Sequence, residues 1–211
     1  MYNRFFKRMI DLIIAIIAFP FWAVLAGVVA VAIKADDHGP VFYKAKRIGQ
    51  KCKLLEMYKF RSMKVDAPSI LNEDGSTYNS VNDSRVTGIG KILRETSIDE
   101  TAQIINVIKG DMSLIGPRAS EWTALESYKP DELDKMKVKP GISGYTQAYF
   151  RNNLSVREKR LKDAWYANNV SFLLDVKIFF KTIQTVLTKE GLYTNDVAYK
   201  MKKEKEHINV K

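Results

Sequence analysis

The chain opens on an unbroken apolar run. From Leu12 to Ile33 it reads LIIAIIAFPFWAVLAGVVAVAI, with no charged position. As straight helix these 22 residues extend roughly 33 Å, enough to cross the hydrocarbon core of a bilayer. The run is too long for a secretory signal, and no small-residue cleavage site precedes Lys34. Pro20 lies inside it, where proline removes a helix hydrogen bond and kinks or breaks the helix, and Phe19 before it is biased away from helical geometry. Arg4, Lys7 and Arg8 precede the run; Lys34, Lys44, Lys46 and Arg47 follow it. Basic flanks favour the cytoplasmic side, and a single span would force one flank across. The expectation is therefore a re-entrant helix bent at Pro20, with one straight span as the alternative. Asp11, at the entrance, is within a helical turn of Lys7 and Arg8 and is expected to pair with one of them.

Beyond it the pattern shortens. ADDHGP, residues 35–40, reads as a turn-rich connector. Val41 to Tyr43 and Leu54 to Phe60 carry β-like patterns with basic residues interleaved, and Asp66 to Ser84 reads as a long polar loop. Ile98 to Lys109 predicts a helix with Ile98, Ala102, Ile105 and Ile108 on one face and Gly110 at its C-terminal stop. Met112 to Ile115 is strand-like. Trp122 to Tyr128, Asp131 to Met136 and Ser155 to Asn168 look helical, with a turn at Lys139 to Gly144. Ser171 to Leu187 is amphipathic, with Lys177 and Lys181 among its phenylalanines and aliphatics. Such a helix packs on the core or lies in a membrane interface. The pattern gives an α+β chain. A re-entrant membrane helix spans 1–34, a small mainly helical domain with short strands and interfacial amphipathic helices, expected on the cytoplasmic side, spans 35–196, and a basic tail spans 197–211.

Composition narrows the chemistry. The 211 residues carry a formal net charge of +10, which favours anionic partners. One cysteine, Cys52, excludes an internal disulfide framework. With only His38 and His207, histidine metal sites and Ser-His or Cys-His triads are poorly supported, so carboxylates are the natural candidates for nucleophile or base.

The acids that stand out are Asp99 and Glu100, with Arg94 before them and Arg118 after. Ser97-Ile-Asp-Glu100 fits a capping box, and acids suit a helix N-terminus, so structural capping explains the pair by itself. A phosphate site is the other reading. Lys59 and Arg61 in YKFRSM, with Arg85, Arg94 and Arg118, are suited to phosphate oxygens. An ionised Asp can then attack phosphorus to form an acyl phosphate, with Glu100 steering a metal or taking a proton.

KFRSM, the run DSRVTGIGKILRETSIDETAQIINVIKGDMSLIGPR and the later KPGISGYTQ resemble the bacterial sugar transferase family, the small monotopic phosphoglycosyl transferases. The likeness runs from FFKRMIDLI to FLLDVKIFFKT. It implies transfer of a phospho-sugar from a UDP-sugar to polyprenol (undecaprenyl) phosphate, with Mg2+, at the cytoplasmic face of the bacterial inner membrane, as the first membrane step of a surface-glycan pathway. It also implies an Asp-Glu dyad at Asp99-Glu100, with Mg2+ at one or both, a polyprenyl-phosphate arginine at Arg94, and a Pro-Arg pair at Pro117-Arg118. The implied partners are UDP-sugar, polyprenol phosphate and inner-membrane lipid, without nucleic acid, and a homodimer is compatible. The chain departs from the family's usual pattern at three places. Ala119 stands where a second proline is usual, Pro20 comes about one turn before the usual Ser-Pro bend, and Phe150 precedes Arg151-Asn152. Gln147 and Arg151 mark a candidate nucleotide-sugar region. Two other functions fit the residues: a metal-dependent phosphohydrolase using Asp99, Glu100 and Asp111, and a non-catalytic basic membrane scaffold.

Overall fold

The computed structural model describes residues 2–188 apart from 69, 71–77, 79, 81–82 and 151–153. The basic tail and Arg151 lie outside the described residues. A π-helical turn, Tyr2–Phe6, leads into helix α1, Lys7–Asp37. This helix is continuous through Pro20 and runs into the expected connector, ending where His38 adopts a left-handed conformation and donates its N–H to Lys34 O. Its 31 residues span about 46 Å. Among the described residues, two small sheets and a set of helices pack beside it.

Strands β1 (Phe42–Ile48) and β2 (Leu54–Phe60) form an antiparallel hairpin, Phe42 opposite Phe60 and Ile48 opposite Leu54. Helix α2 (Gly88–Glu95) starts at Thr87, whose side chain caps Gly90 N–H at 3.0 Å. A Cβ on Gly90 would lie 2.0 Å from the Ser62 carbonyl oxygen, so the glycine lets α2 approach the end of β2.

The expected helix over 98–109 is two pieces, a 3₁₀ helix at Ile98–Gln103 and α3 at Ile104–Lys109, ended by Gly110 at positive φ. The tighter 3₁₀ turn shifts the phase of the apolar face. Ala102, Ile104 and Val107 are buried, while Ile105 and Ile108 are only partly so. Strand β3 (Ser113–Ile115) pairs in parallel with β4 (Gly141–Ser143), which replaces part of the expected turn at 139–144. Between them run 3₁₀ helices Trp122–Ser127 and Pro130–Lys137. Helices α4 (Tyr145–Tyr149), α5 (Val156–Asn168) and α6 (Phe172–Thr188) complete the described chain. Ser155 caps α5 through a capping box with Glu158.

Among the described residues, three apolar clusters build the interior. Ala15 of α1 packs with Leu55, Met57, Ile104 and Val107; Val29 and Ile33 pack with Phe60, Leu93 and Ala102. Ile115, Val138, Tyr166 and Ile178 make the third. One side of α1 thus joins the core. The other leaves Ile17, Phe21, Val24, Val28 and Val31 exposed, at 64% to 77% of their surface.

The polar residues at the start of α1 do not pair with each other. Lys7 pairs with buried Asp175 of α6, which also accepts from Tyr2 (2.7 Å) and Tyr166 (2.6 Å). Arg8 donates to the carbonyls of Val107 and Ile108 at the end of α3. Asp11 accepts from Ser113 Oγ at 2.7 Å and Leu114 N–H at 3.2 Å. Each therefore ties α1 to another element, where buried polar groups find partners that a neighbouring helix turn cannot supply.

Candidate active site

Asp99 and Glu100 occupy the first turn of the 3₁₀ helix, but not through a capping box. Ser97 is the N-cap, in a left-handed conformation (φ 58°), and its side chain makes no capping hydrogen bond. Neither carboxylate is spent on the backbone, as a capping box would require. They face cations. Lys59 Nζ lies 2.8 Å from Glu100 Oε1 and 3.8 Å from Asp99 Oδ2, and Arg118 Nη2 donates to Glu100 Oε1 at 3.2 Å.

Separate elements deliver these groups. Lys59 is the penultimate residue of β2, and that strand is fixed by a residue that no motif in the sequence marks. Asn106 of α3, fully buried, accepts from Tyr58 N–H at 2.9 Å and donates to Glu56 O at 2.8 Å. Its amide works as a substitute strand edge, pinning β2 against the dyad helix. A lone Asn within the apolar run IINVI was the available signal. Trp22 of α1 braces the other side, stacking on Phe60 and donating to Thr101 Oγ1 at 3.2 Å.

Arg94 is in the last turn of α2, where its Nε donates to Ser62 Oγ at 3.2 Å. Pro117 and Arg118 leave β3 over a tight contact. A Cβ on Gly141 would lie 2.1 Å from Gly116 N, and one on Gly144 2.0 Å from Gly116 O. The glycines of KPGISG let the two strands close, which sets where Pro117-Arg118 emerges. Pro117 is buried, while the Arg118 side chain is 55% exposed.

Arg61 and Arg85 are committed elsewhere. Arg61, buried, pairs with Asp37 and donates to Pro40 O and Met63 O, so it secures the end of α1. Arg85 pairs with Asp83 and donates to Pro68 O. Gln147 of α4 donates Nε2 to Ile142 O at 3.1 Å, and its buried Oε1 has no partner. Asp111 pairs with Lys109 on the surface, and the described residues contain no group of three or more possible metal ligands. Asp99, Glu100 and Asp111 therefore do not form the cluster a protein-caged metal hydrolase would need.

The environment separates the two acids. Burial pushes the Asp99 carboxyl above the usual carboxylate range, and the adjacent Glu100 charge adds to this against Lys59, Arg94 and Arg118. Burial also acts to raise Glu100, but Lys59 and Arg118 outweigh it and hold this carboxyl below the usual range. Glu100 is the fixed anion of the pair. Asp99 is the one whose charge is incompletely compensated, which suits a nucleophile. Two neighbouring carboxylates also suit Mg2+, which is usually held by one or two carboxylates together with substrate phosphates.

Residues 2–189 match the sequence pattern of the bacterial sugar transferases. A UDP-N-acetylgalactosamine-undecaprenyl-phosphate N-acetylgalactosaminephosphotransferase of Aeromonas hydrophila is 39% identical over 193 residues, covering 89% of this chain and 45% of the relative. An undecaprenyl-phosphate galactose phosphotransferase of Salmonella typhimurium is 36% identical over 206 residues, covering 90% and 42%. An uncharacterized sugar transferase, EpsL, of Bacillus subtilis is 38% identical over 193 residues, covering 90% and 92%. The chain spans less than half the length of the first two and nearly the whole of the third. A match over almost its full length to the family pattern, and to a relative of its own size, means that the chain belongs to the bacterial sugar transferase family.

Proposed function

We propose that the chain is a membrane-bound phosphoglycosyl transferase. It moves a phospho-sugar from a UDP-sugar to polyprenol phosphate, with undecaprenyl phosphate the acceptor in the names of two relatives. The observation that carries this reading is the asymmetric dyad, with Glu100 clamped by Lys59 and Arg118 and the buried Asp99 beside it under-compensated. Asp99 attacks the β-phosphorus of the UDP-sugar. An Asp oxygen–phosphorus bond forms, the bond to the bridging oxygen breaks, and UMP leaves with that electron pair. An oxygen of polyprenol phosphate then attacks the phospho-sugar and displaces the Asp99 carboxylate. Arg94 and Arg118 hold the phosphate oxygens through both exchanges. Mg2+, bound at Asp99 or Glu100 with the diphosphate, would supply neutralisation of the phosphate charge.

Membrane placement follows the same logic. Both ends of α1 are anchored to one domain, through Lys7, Arg8 and Asp11 at the start and through Asp37–Arg61 and the Asp36 bond to Ile89 N–H at the end. This supports a helix that enters and leaves at the cytoplasmic face and lies against the domain. Helix α6 leaves Leu173, Phe180 and Leu187 exposed, as an interfacial helix would.

The deciding experiment supplies UDP-sugar and Mg2+ without lipid acceptor. The chain should release at most about one UMP per site and gain a phospho-sugar mass on the Asp99 peptide. UMP that appears only when polyprenol phosphate is present, with no adduct, would favour direct transfer and remove the covalent step. Continuous hydrolysis with water as acceptor would identify a phosphohydrolase instead.

A further inference from the structure

The arginine that faces Glu100 is held from behind. Its guanidinium is at the surface, but its carbonyl oxygen accepts from Lys135 Nζ at 3.0 Å. The same ammonium donates to Ser120 Oγ at 3.2 Å and pairs with Asp163 Oδ2 at 3.2 Å. The ammonium thus has two hydrogen-bond acceptors and one carboxylate partner around it. Asp163 Oδ1 in turn accepts from Thr146 Oγ1 at 2.8 Å. Three elements thus converge on one backbone: the 3₁₀ helix Pro130–Lys137, α5 and α4.

The pair is almost wholly enclosed, with 4% of the Lys135 side chain and 2% of the Asp163 side chain exposed. Taking two charges out of water is costly, and apolar residues of similar volume often serve stability as well. Stability alone therefore does not account for a buried lysine aimed at the carbonyl of an exposed arginine. The Asp163 charge also reaches Arg118, where it favours the guanidinium's charged form after Glu100 and Asp99.

We propose that Lys135, with Asp163, is a positioning residue that fixes the Arg118 backbone so that its guanidinium stays in register with Glu100 and with the substrate phosphates. It also couples the site to α4, which carries Gln147. The inference rests on the phosphate role given to Arg118 above.

The test is a double-mutant cycle in full-length protein held in lipid nanodiscs, with melting temperature recorded for every variant. Lys135→Met should lower kcat/KM for UMP release on the order of tenfold in the native background, but by less than about twofold when Arg118 is already Ala. Lys135→Arg, which can still donate to the carbonyl, should retain more activity than Lys135→Met. Asp163→Asn is the milder variant should Lys135→Met fold poorly, since it keeps the side-chain shape. Phenylglyoxal modification of Arg118, read by peptide mass, needs no turnover and should be several times faster in Lys135→Met or Asp163→Asn. Equal activity losses in both Arg118 backgrounds, or an unchanged modification rate in folded variants, would overturn the proposal. Wild-type protein that releases no UMP from any UDP-sugar would count against the functional reading, and the modification rate would still decide the positioning role.

Discussion

Lys59 Nζ sits 2.8 Å from Glu100 Oε1, an angstrom closer than its 3.8 Å separation from Asp99 Oδ2. A cation placed symmetrically between two adjacent acids would lower both. Here it leans to one, and Arg118 reinforces the choice. The outcome is one carboxyl held below the usual range and its neighbour raised above it, from residues one position apart in the chain. Burial makes the difference count, because charges interact more strongly away from water.

Opposite stability effects are expected from neutralising the two acids. Asp99 is raised in the folded state, so its contribution to stability is present below its unfolded pKa and lost as pH rises through the folded one. At neutral pH its charge is a liability, and Asp99→Asn should melt higher than wild type while losing turnover. Glu100 is lowered, so its contribution is present above its unfolded pKa and lost only as pH falls through a folded value below the usual range. Glu100→Gln should melt lower at neutral pH. Differential scanning fluorimetry on the two variants checks the signs. Equal destabilisation by both would reject the asymmetric dyad.

The activity profile should carry the same signature. A nucleophilic Asp99 must be ionised, so kcat/KM should fall on acidification at a pH above the ordinary aspartate value of about 3.9. Removing the nearest cation, with Lys59→Met, should move that limb to still higher pH, since Lys59 is the strongest influence lowering Asp99. A pH–rate series on the two proteins decides it; an unmoved limb would assign the titration to another group.

Substrate phosphates should feel both arginines. Arg94→Ala and Arg118→Ala should each lower kcat/KM by on the order of ten- to a hundredfold, the loss of one charge-assisted contact, with Lys rescuing only partly because it lacks the planar fork. Arg61→Ala should instead act through stability, because its guanidinium is spent on Asp37 and two backbone carbonyls. Melting curves beside UMP assays separate the two classes.

Much of this was legible in the sequence because it rests on local rules. The apolar run, the β-like pattern of Leu54–Phe60 and the helix expected over Ser155 to Asn168 all appeared where chain pattern placed them. Other features were not local. Ser97 satisfies a capping-box pattern by composition, yet its left-handed backbone turns the side chain away from that role. Lys7, Arg8 and Asp11 could reach one another on one helix, but each found a buried partner at least 99 residues away, which periodicity cannot see. Arg61 and Arg85 have the residue type of phosphate ligands, and only the fold shows that neighbouring acids occupy them. Chemistry was readable as a set of residue types; the choice among them required three dimensions.

Topology gives the last test. Anchors at both ends of α1 hold it to one domain, so both ends should face the cytoplasm. In a Cys52→Ser background, Asn3→Cys and His38→Cys should both resist a membrane-impermeant thiol reagent in intact cells and react after permeabilisation. Labelling of position 3 alone in intact cells would indicate a single span and reject the re-entrant arrangement. Lys7→Ala or Asp175→Ala should shift some molecules toward that spanning form. Either change leaves the other partner charged and buried, which weakens the hold on the start of the helix by a few kcal/mol, about 3 to 5 for a buried pair. The double change, Lys7→Met with Asp175→Leu, removes both charges and should cost less stability than either single one. If the single variants keep position 3 protected, the anchor at the start of α1 is dispensable, and the basic flanks alone set the orientation.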